Sequence, residues 1–255
     1  MNEKLSELYD FIGVLLDVGE KLLRSGAEVY RVEGTLAKMT QAYGAEKYSI
    51  FVITSNIVIS IDMPGGIHAT DTRRVLKAGG TNYACLEALN SVSRSFFENP
   101  FSVPELRKAV DNCRLSVKPV YTVCGSVLAA GAVTVFFGGT IFDGIFAALL
   151  SLVICFFQIR AVSVLKNKLQ FNFVASLAVG LGVVILSKIF AFLHSDKIII
   201  GNIMLLIPGV AMTNSIRDII IGDTISGSMR FIESLIWAAG LAAGIMLSLW
   251  IGGAL

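Results

Sequence analysis

The sequence predicts an α-helical polytopic membrane protein of about five transmembrane helices, preceded by an amino-terminal cytoplasmic α/β domain. Three observations lead there. Of the 21 basic residues 14 precede Pro119, and so do 14 of the 19 acidic ones, so the front of this 255-residue chain holds most of the charge. Beyond Pro119 the chain runs in apolar stretches, most of them about long enough to cross a hydrocarbon core. Basic residues then fall in alternate connections between those stretches, as the positive-inside rule requires of a multi-pass chain.

Residues 1–118 read as a unit that can bury its own core. Leu5, Leu8, Ile12, Leu15, Leu16, Leu22 and Leu23 recur at helical spacing, with Glu7, Asp10, Asp17, Glu20, Lys21 and Arg24 on the other face. Ser25-Gly26-Ala27-Glu28 has the form of a helix stop and then a capping box, in which Ser25 accepts from an amide three residues on and Glu28 reaches back. Val29, Val32, Leu36, Met39 and Tyr43 stripe a second helix, which Gly44 ends. The period then changes. Tyr48–Thr54 and Ile57–Asp62 are rich in β-branched residues, and the Pro64-Gly65-Gly66 turn leads to a third strand over Ile67–Arg73. Leu86, Leu89, Val92 and Phe96 mark another helix, and Ser102-Val103-Pro104-Glu105 opens the next with a second capping box.

Residues 119–255 form the expected transmembrane domain, with helices near 119–138, 140–158, 170–193, 198–216 and 231–253. Gly138-Gly139 suits a tight hairpin between the first two. Arg107, Lys108, Arg114 and Lys118 precede the first helix; Arg160, Lys166 and Lys168 separate the second and third; Arg217 and Arg230 separate the fourth and fifth. Five spans put all three groups on one side, with the amino terminus in the cytoplasm and the carboxy terminus outside. No apolar core of signal-peptide length follows Met1, so cleavage is not expected.

Candidate chemistry gathers around the fourth stretch. Pro208 removes a backbone donor and Gly209 adds freedom, which predicts a break that would leave amides and carbonyls needing partners. Beyond it Asn214, Arg217 and Asp218 share one helical side, and Thr213 stands four residues before Arg217. Two readings stay open: a structural kink with an interfacial Arg217 and Asp218, or a polar substrate site. In the second, Arg217 takes a carboxylate and Asp218 or Asp223 takes a proton or an ammonium group. Asp143 is read as a loop carboxylate at the outer surface, with a gating or proton-site role as the alternative. Gly240, Gly244, Ser248 and Gly252 make a small-residue stripe for close helix packing, within the chain or against another subunit.

Other classes find little support. A net charge of +2 without any Lys/Arg-rich run argues against nucleic acid. Cys85, Cys113, Cys124 and Cys155 have no metal or redox spacing, and neither a Walker motif nor a GxSxG elbow is present. His68 and His194 are expected on opposite sides of the membrane. No enzyme activity, metal or cofactor is expected.

The chain resembles the amino-terminal component of the threonine/serine exporter (ThrE) family over nearly its whole length. The resemblance rests on Leu23-Arg24-Ser25-Gly26-Ala27-Glu28-Val29-Tyr30-Arg31-Val32-Glu33, the strand-rich stretch after Gly44, and Phe137-Gly138-Gly139. It continues in Pro208-Gly209, Asn214-Ser215-Ile216-Arg217-Asp218 and Gly222-Asp223-Thr224-Ile225-Ser226-Gly227. It implies secondary export of small polar metabolites across the bacterial cytoplasmic membrane: threonine and serine, or dicarboxylates such as succinate in two-component members. Fused members continue into a second membrane domain, so a smaller membrane subunit of the same family is the partner implied here, in an oligomeric assembly. The rival class is a membrane-anchored regulatory or binding protein whose cytoplasmic domain is the working part.

Overall fold

The computed structural model describes residues 2–75, 81–113, 118–160 and 167–253. Arg114, Lys166 and Leu255 lie outside the described residues. The chain divides into two compact units, Met1–Ser116 with Val210–Phe231, and Val117–Gly209 with Ile232–Leu255.

The first unit opens with α1 (Asn2–Arg24) and α2 (Val29–Ala42). The apolar stripe of α1 is buried as its spacing predicts, with Leu8, Phe11, Ile12, Leu15, Leu16 and Leu22 at 2% exposure or less. Each such side chain contributes roughly 1.5–3 kcal/mol by leaving water. Strands β1 (Lys47–Ile53), β2 (Asn56–Met63) and β3 (Ile67–Arg74) form an antiparallel meander in that order. Ile57, Ile59 and Ile61 alternate inward along β2. A Cβ on Gly19 would stand 2.7 Å from Ile57 Cδ1, so glycine lets α1 lie close to this sheet. On the polar side of α1, Arg73 bridges Asp17 at 2.7 Å and Glu20 at 3.2 Å. Helices α3 (Tyr83–Glu98) and α4 (Val103–Asn112) complete the core, and Glu105 Oε2 accepts from the Ser102 amide at 3.1 Å in the second capping box.

The first capping box does not form. Gly26 takes φ +88, Ala27 N–H donates to Leu22 O, and Gly26 N–H donates to Leu23 O. This Schellman arrangement makes Ser25 part of the end of α1 rather than the start of α2. Ser25 Oγ is buried without a hydrogen-bond partner, and the Glu28 carboxylate turns elsewhere.

The second unit holds α5 (Pro119–Phe136), α6 (Ile141–Arg160), α7 (Lys168–Ile189) and α8 (Ser195–Ile203). Gly138 at φ +91 turns α5 into α6, and a Cβ on Gly131 would approach Gly144 O at 3.1 Å, so the two helices pack closely. The remaining helices are α9 (Gly209–Ile221) and α10 (Thr224–Gly252). Among the described residues four helices are long and apolar enough to cross a membrane: α5, α6, α7 and α10. The large apolar side chains Leu128, Phe136 and Ile141 face outward, as a bilayer-embedded surface requires.

The stretch expected to hold the fourth span, 198–216, is not one continuous helix. It is two short helices, α8 of 9 residues and α9 of 13, and Pro208 stands between them. The missing donor at Pro208 ends the helical ladder, and Val210–Phe231 belongs to the same unit as the amino-terminal helices.

Candidate functional site

Polar groups converge inside the first unit where α9 and the start of α10 meet the loop from α1 to α2. A Cβ on Gly227 would lie 2.7 Å from Ser215 O and 2.8 Å from Ile219 N, so this glycine lets α10 pack against α9. Gly222 at φ +113 makes the turn between them, and the Asp223 amide donates to Asp218 O at 2.9 Å. Both helices aim side chains at Gly26–Glu28. Asn214 Nδ2 donates to Gly26 O at 3.4 Å, and Arg217 donates to Glu28 Oε1 at 3.0 Å. The Arg230 guanidinium donates to Ala27 O through both terminal nitrogens at 3.2 Å and to Asp218 Oδ2 at 3.3 Å.

These pairs differ in burial, and burial decides what each is worth. Asp218 is fully buried and the Arg230 side chain 16% exposed, so that pair is desolvated. Arg217 is 55% exposed above a Glu28 side chain at 10%, with its guanidinium 5.7 Å from the Tyr30 ring centre. Burial pushes the Asp218 carboxyl above the usual range; Arg230 pulls it down, and the nearby Asp223 and Glu28 charges push it up. Glu33, one turn into α2, accepts from the Val52 amide at 2.9 Å. Burial raises its carboxyl also, the Val52 amide opposes this, and Asp223 adds to it.

Asn214, Arg217, Asp218 and Asp223 thus lie in one neighbourhood, with Thr213 on the same helix and Pro208 and Gly209 at its start. The arrangement can hold a charged group or relay a proton, because two buried-to-half-buried carboxylates face two guanidinium groups. A substrate carboxylate at Arg217 would share that guanidinium with Glu28. Glu28, Glu33 and Arg230 are the residues that sequence reasoning did not place here. Ser25–Glu28 stood out as a motif, but its partner Arg217 lies 189 positions from Glu28 and no local pattern joins them.

Asp143 lies in the second unit and is not a surface loop carboxylate. It is fully buried in the first turn of α6 and accepts from the Thr140 amide at 2.7 Å, the Thr140 hydroxyl at 2.8 Å and the His194 amide at 2.9 Å. His194 Nδ1 lies 2.9 Å from the same carboxylate. Asp143 therefore ties the start of α6 to the start of α8. The glycine stripe of α10 faces α7: a Cβ on Gly240 would strike Leu169, one on Gly244 would strike Ser176, and one on Gly252 would come within 2.5 Å of Val184. Ser248 fills the space that Gly180 leaves. Among the described residues no group of His, Cys, Asp and Glu is arranged to hold a metal ion.

The family described as "Putative threonine/serine exporter" (ThrE) matches residues 13–252. A "Threonine/serine exporter" of Corynebacterium glutamicum is 23% identical over 259 residues, covering 96% of this chain and 52% of the relative. A "Probable threonine/serine exporter" of Mycobacterium tuberculosis (strain ATCC 25618 / H37Rv) is 22% identical over 250 residues, covering 93% of this chain and 45% of the relative. The chain spans about half the length of these curated relatives. No solved structure matches it. With a family match that runs from α1 to the end of α10, this chain belongs to the threonine/serine exporter family.

Proposed function

We propose that this chain is the larger subunit of a secondary exporter of small polar metabolites, threonine and serine or dicarboxylates such as succinate. It works in the bacterial cytoplasmic membrane with a smaller membrane subunit of the same family, in an oligomeric assembly. The observation that carries the reading is the family match over residues 13–252 laid on four helices of bilayer length.

The amino-terminal unit is cytoplasmic in this reading. Its two segments form one compact unit and so share one side of the bilayer. Three crossings by α5, α6 and α7 leave the chain on the far side. The stretch 190–209, containing α8, returns it, and α10 makes the fifth crossing. Irregular backbone at membrane depth survives only where protein or enclosed water covers it; after α8, Leu206 and Pro208 are buried while Met204 and Ile207 face outward. Broken crossings are where transporters place substrate and coupling ions. Arg217 with Asp218 and Asp223 form the proposed binding and coupling groups at the end of that stretch. A purely anchored regulatory protein would need one span, whereas four candidates are present.

The test is metabolite efflux from cells loaded with threonine, serine or succinate, carrying this chain with and without a smaller membrane subunit of the same family. Export of at least one of the three should rise when both are present. Unchanged export of all three with both subunits in the membrane overturns the reading.

A further inference from the structure

A cavity of about 480 Å³ opens in the first unit between α2 and α3, within the range of small-molecule sites. Its charged and amide lining is Glu28, Arg31, Glu87, Asn90, Arg94 and Asn214. Among the described residues, both signs of charge therefore line one open cavity. A dianion would meet two carboxylates there, and a simple cation would meet two guanidinium groups. A molecule with one ammonium and one carboxylate meets an opposite charge at each end.

The pair at the cavity's edge is poorly satisfied. Glu28 Oε1 is held by Arg217, but Glu28 Oε2 has no hydrogen-bond partner although the side chain is nine-tenths buried. Arg31 Nε stands off from it at 3.6 Å on a side chain that is 67% exposed. That is an ion pair in distance and not a hydrogen bond. A buried carboxylate oxygen left in this way is costly, and a closer donor relieves the cost. A zwitterion entering between the two could give Glu28 an ammonium donor and release the Arg31 guanidinium, with Arg94, for the ligand's carboxylate. Guanidinium groups match carboxylates through paired N–H bonds.

We propose that the amino-terminal unit is itself a binding site for a free α-amino acid, which seats its ammonium at Glu28 and Glu87 and its carboxylate at Arg31 and Arg94. The inference goes beyond export, because binding in this cavity can be measured without transport. It also gives the Arg217–Glu28 pair a second meaning: the residue that holds the ligand's ammonium is the residue that α9 grips, so occupancy of the cavity is felt at α9.

Calorimetric titration of the full chain in lipid nanodiscs tests this with L-threonine, N-acetyl-L-threonine and L-threonine amide. The free amino acid should bind, and each derivative should bind at least about tenfold more weakly, a factor that corresponds to about 1.4 kcal/mol. Arg94→Gln and Glu87→Gln, on the exposed face of α3, should each weaken L-threonine several-fold while leaving the fold intact. Glu28→Gln should bring the free and N-acetylated forms to similar affinity. Equal binding of the derivatives by the unaltered chain overturns the proposal. So does unchanged affinity in Arg94→Gln and Glu87→Gln, which would put the ligand elsewhere, and so does the absence of L-threonine binding. Lost binding with intact efflux in those two variants supports the proposal and separates this cavity from transport, whereas intact binding in them overturns it whatever efflux does.

Discussion

Arg217 and Arg230 sit thirteen positions apart and do different physical work, which single substitutions can separate. Arg217 is more than half exposed, so its pair with Glu28 is screened by water and is worth about 1 kcal/mol or less to stability. Arg217→Gln should therefore leave the protein abundant and its melting temperature nearly unchanged while export is lost. Arg217→Lys should also be impaired, since an ammonium cannot reproduce the guanidinium fork. Normal efflux from both variants would reduce Arg217 to a surface anchor. Arg230 faces a fully buried Asp218, and removing it leaves that carboxylate without its cation, with the Val29 amide still donating to it. Arg230→Met should cost about 3–5 kcal/mol, and the Arg230→Met/Asp218→Leu double variant should recover much of it. Thermal melts of the two would show equal losses if the pair were unimportant. Glu33 supplies a pH dependence of known sign. Its folded carboxyl binds a proton more tightly than the ordinary value of 4.5, chiefly through burial. The folded state thus holds more protons than the unfolded one between 4.5 and the raised value, and stability falls as pH rises through that window. Glu33→Gln should flatten this fall in melts taken from about pH 4 to about pH 7. An unchanged slope would remove Glu33 from the account.

Among the elements, α1 to α4 and the three strands were legible because each buries one face and leaves a period behind. The leucine spacing of α1 and the alternation of Ile57, Ile59 and Ile61 need no tertiary knowledge. The same local rules misread Ser25–Glu28, where a positive φ at Gly26 assigns the serine to the helix before it. They also could not separate α9 from the membrane helices. Apolar residues such as Ile219, Ile220 and Ile221 look alike whether they meet lipid, a partner or a soluble core, and the partners of α9 lie nearly 190 positions away. Glycines divide in the same way. Nothing lies within 4 Å of a Cβ on Gly209, so Gly209→Ala should be tolerated. Pro208→Ala restores a backbone donor and should slow transport more than it lowers abundance, if the break is used. Gly244 is closed: its Cβ would overlap Ser176 and stand 2.5 Å from Phe173 O, which is backbone and cannot rotate away. Gly244→Leu should deplete folded protein, since overpacking alone costs roughly 1–3 kcal/mol and this site has no room to relax. Abundance on a par with Gly209→Ala would mean that α7 and α10 are not packed this way. Because α7 covers the stripe, these small residues serve packing within the chain.

For the whole molecule the deciding quantity is the parity of crossings. Four helices qualify as spans by length and composition, and four would return the chain to the side on which it began. The amino-terminal unit nevertheless contains Val210–Phe231, which follows three of those helices. In the topology proposed above both segments of that unit share one side of the bilayer, and a further crossing lies between α7 and α9, where helix α8 ends short of Pro208. The basic residues argue for the same parity independently: Arg107, Lys108 and Lys118 precede α5, Lys168 precedes α7, and Arg217 and Arg230 precede the membrane-length part of α10. Reporter fusions after Lys118, Lys168 and Arg230 should therefore report cytoplasm, and fusions after Gly139, Lys197 and Leu255 should report the outside. The informative pair is Lys197 and Arg230. Opposite signals there mean that the short α8 and the stretch to Gly209 cross the membrane without a helix of full length. The same signal at both would make α8 a re-entrant element, place Arg217 on the outer side, and remove it from any path that loads substrate from the cytoplasm.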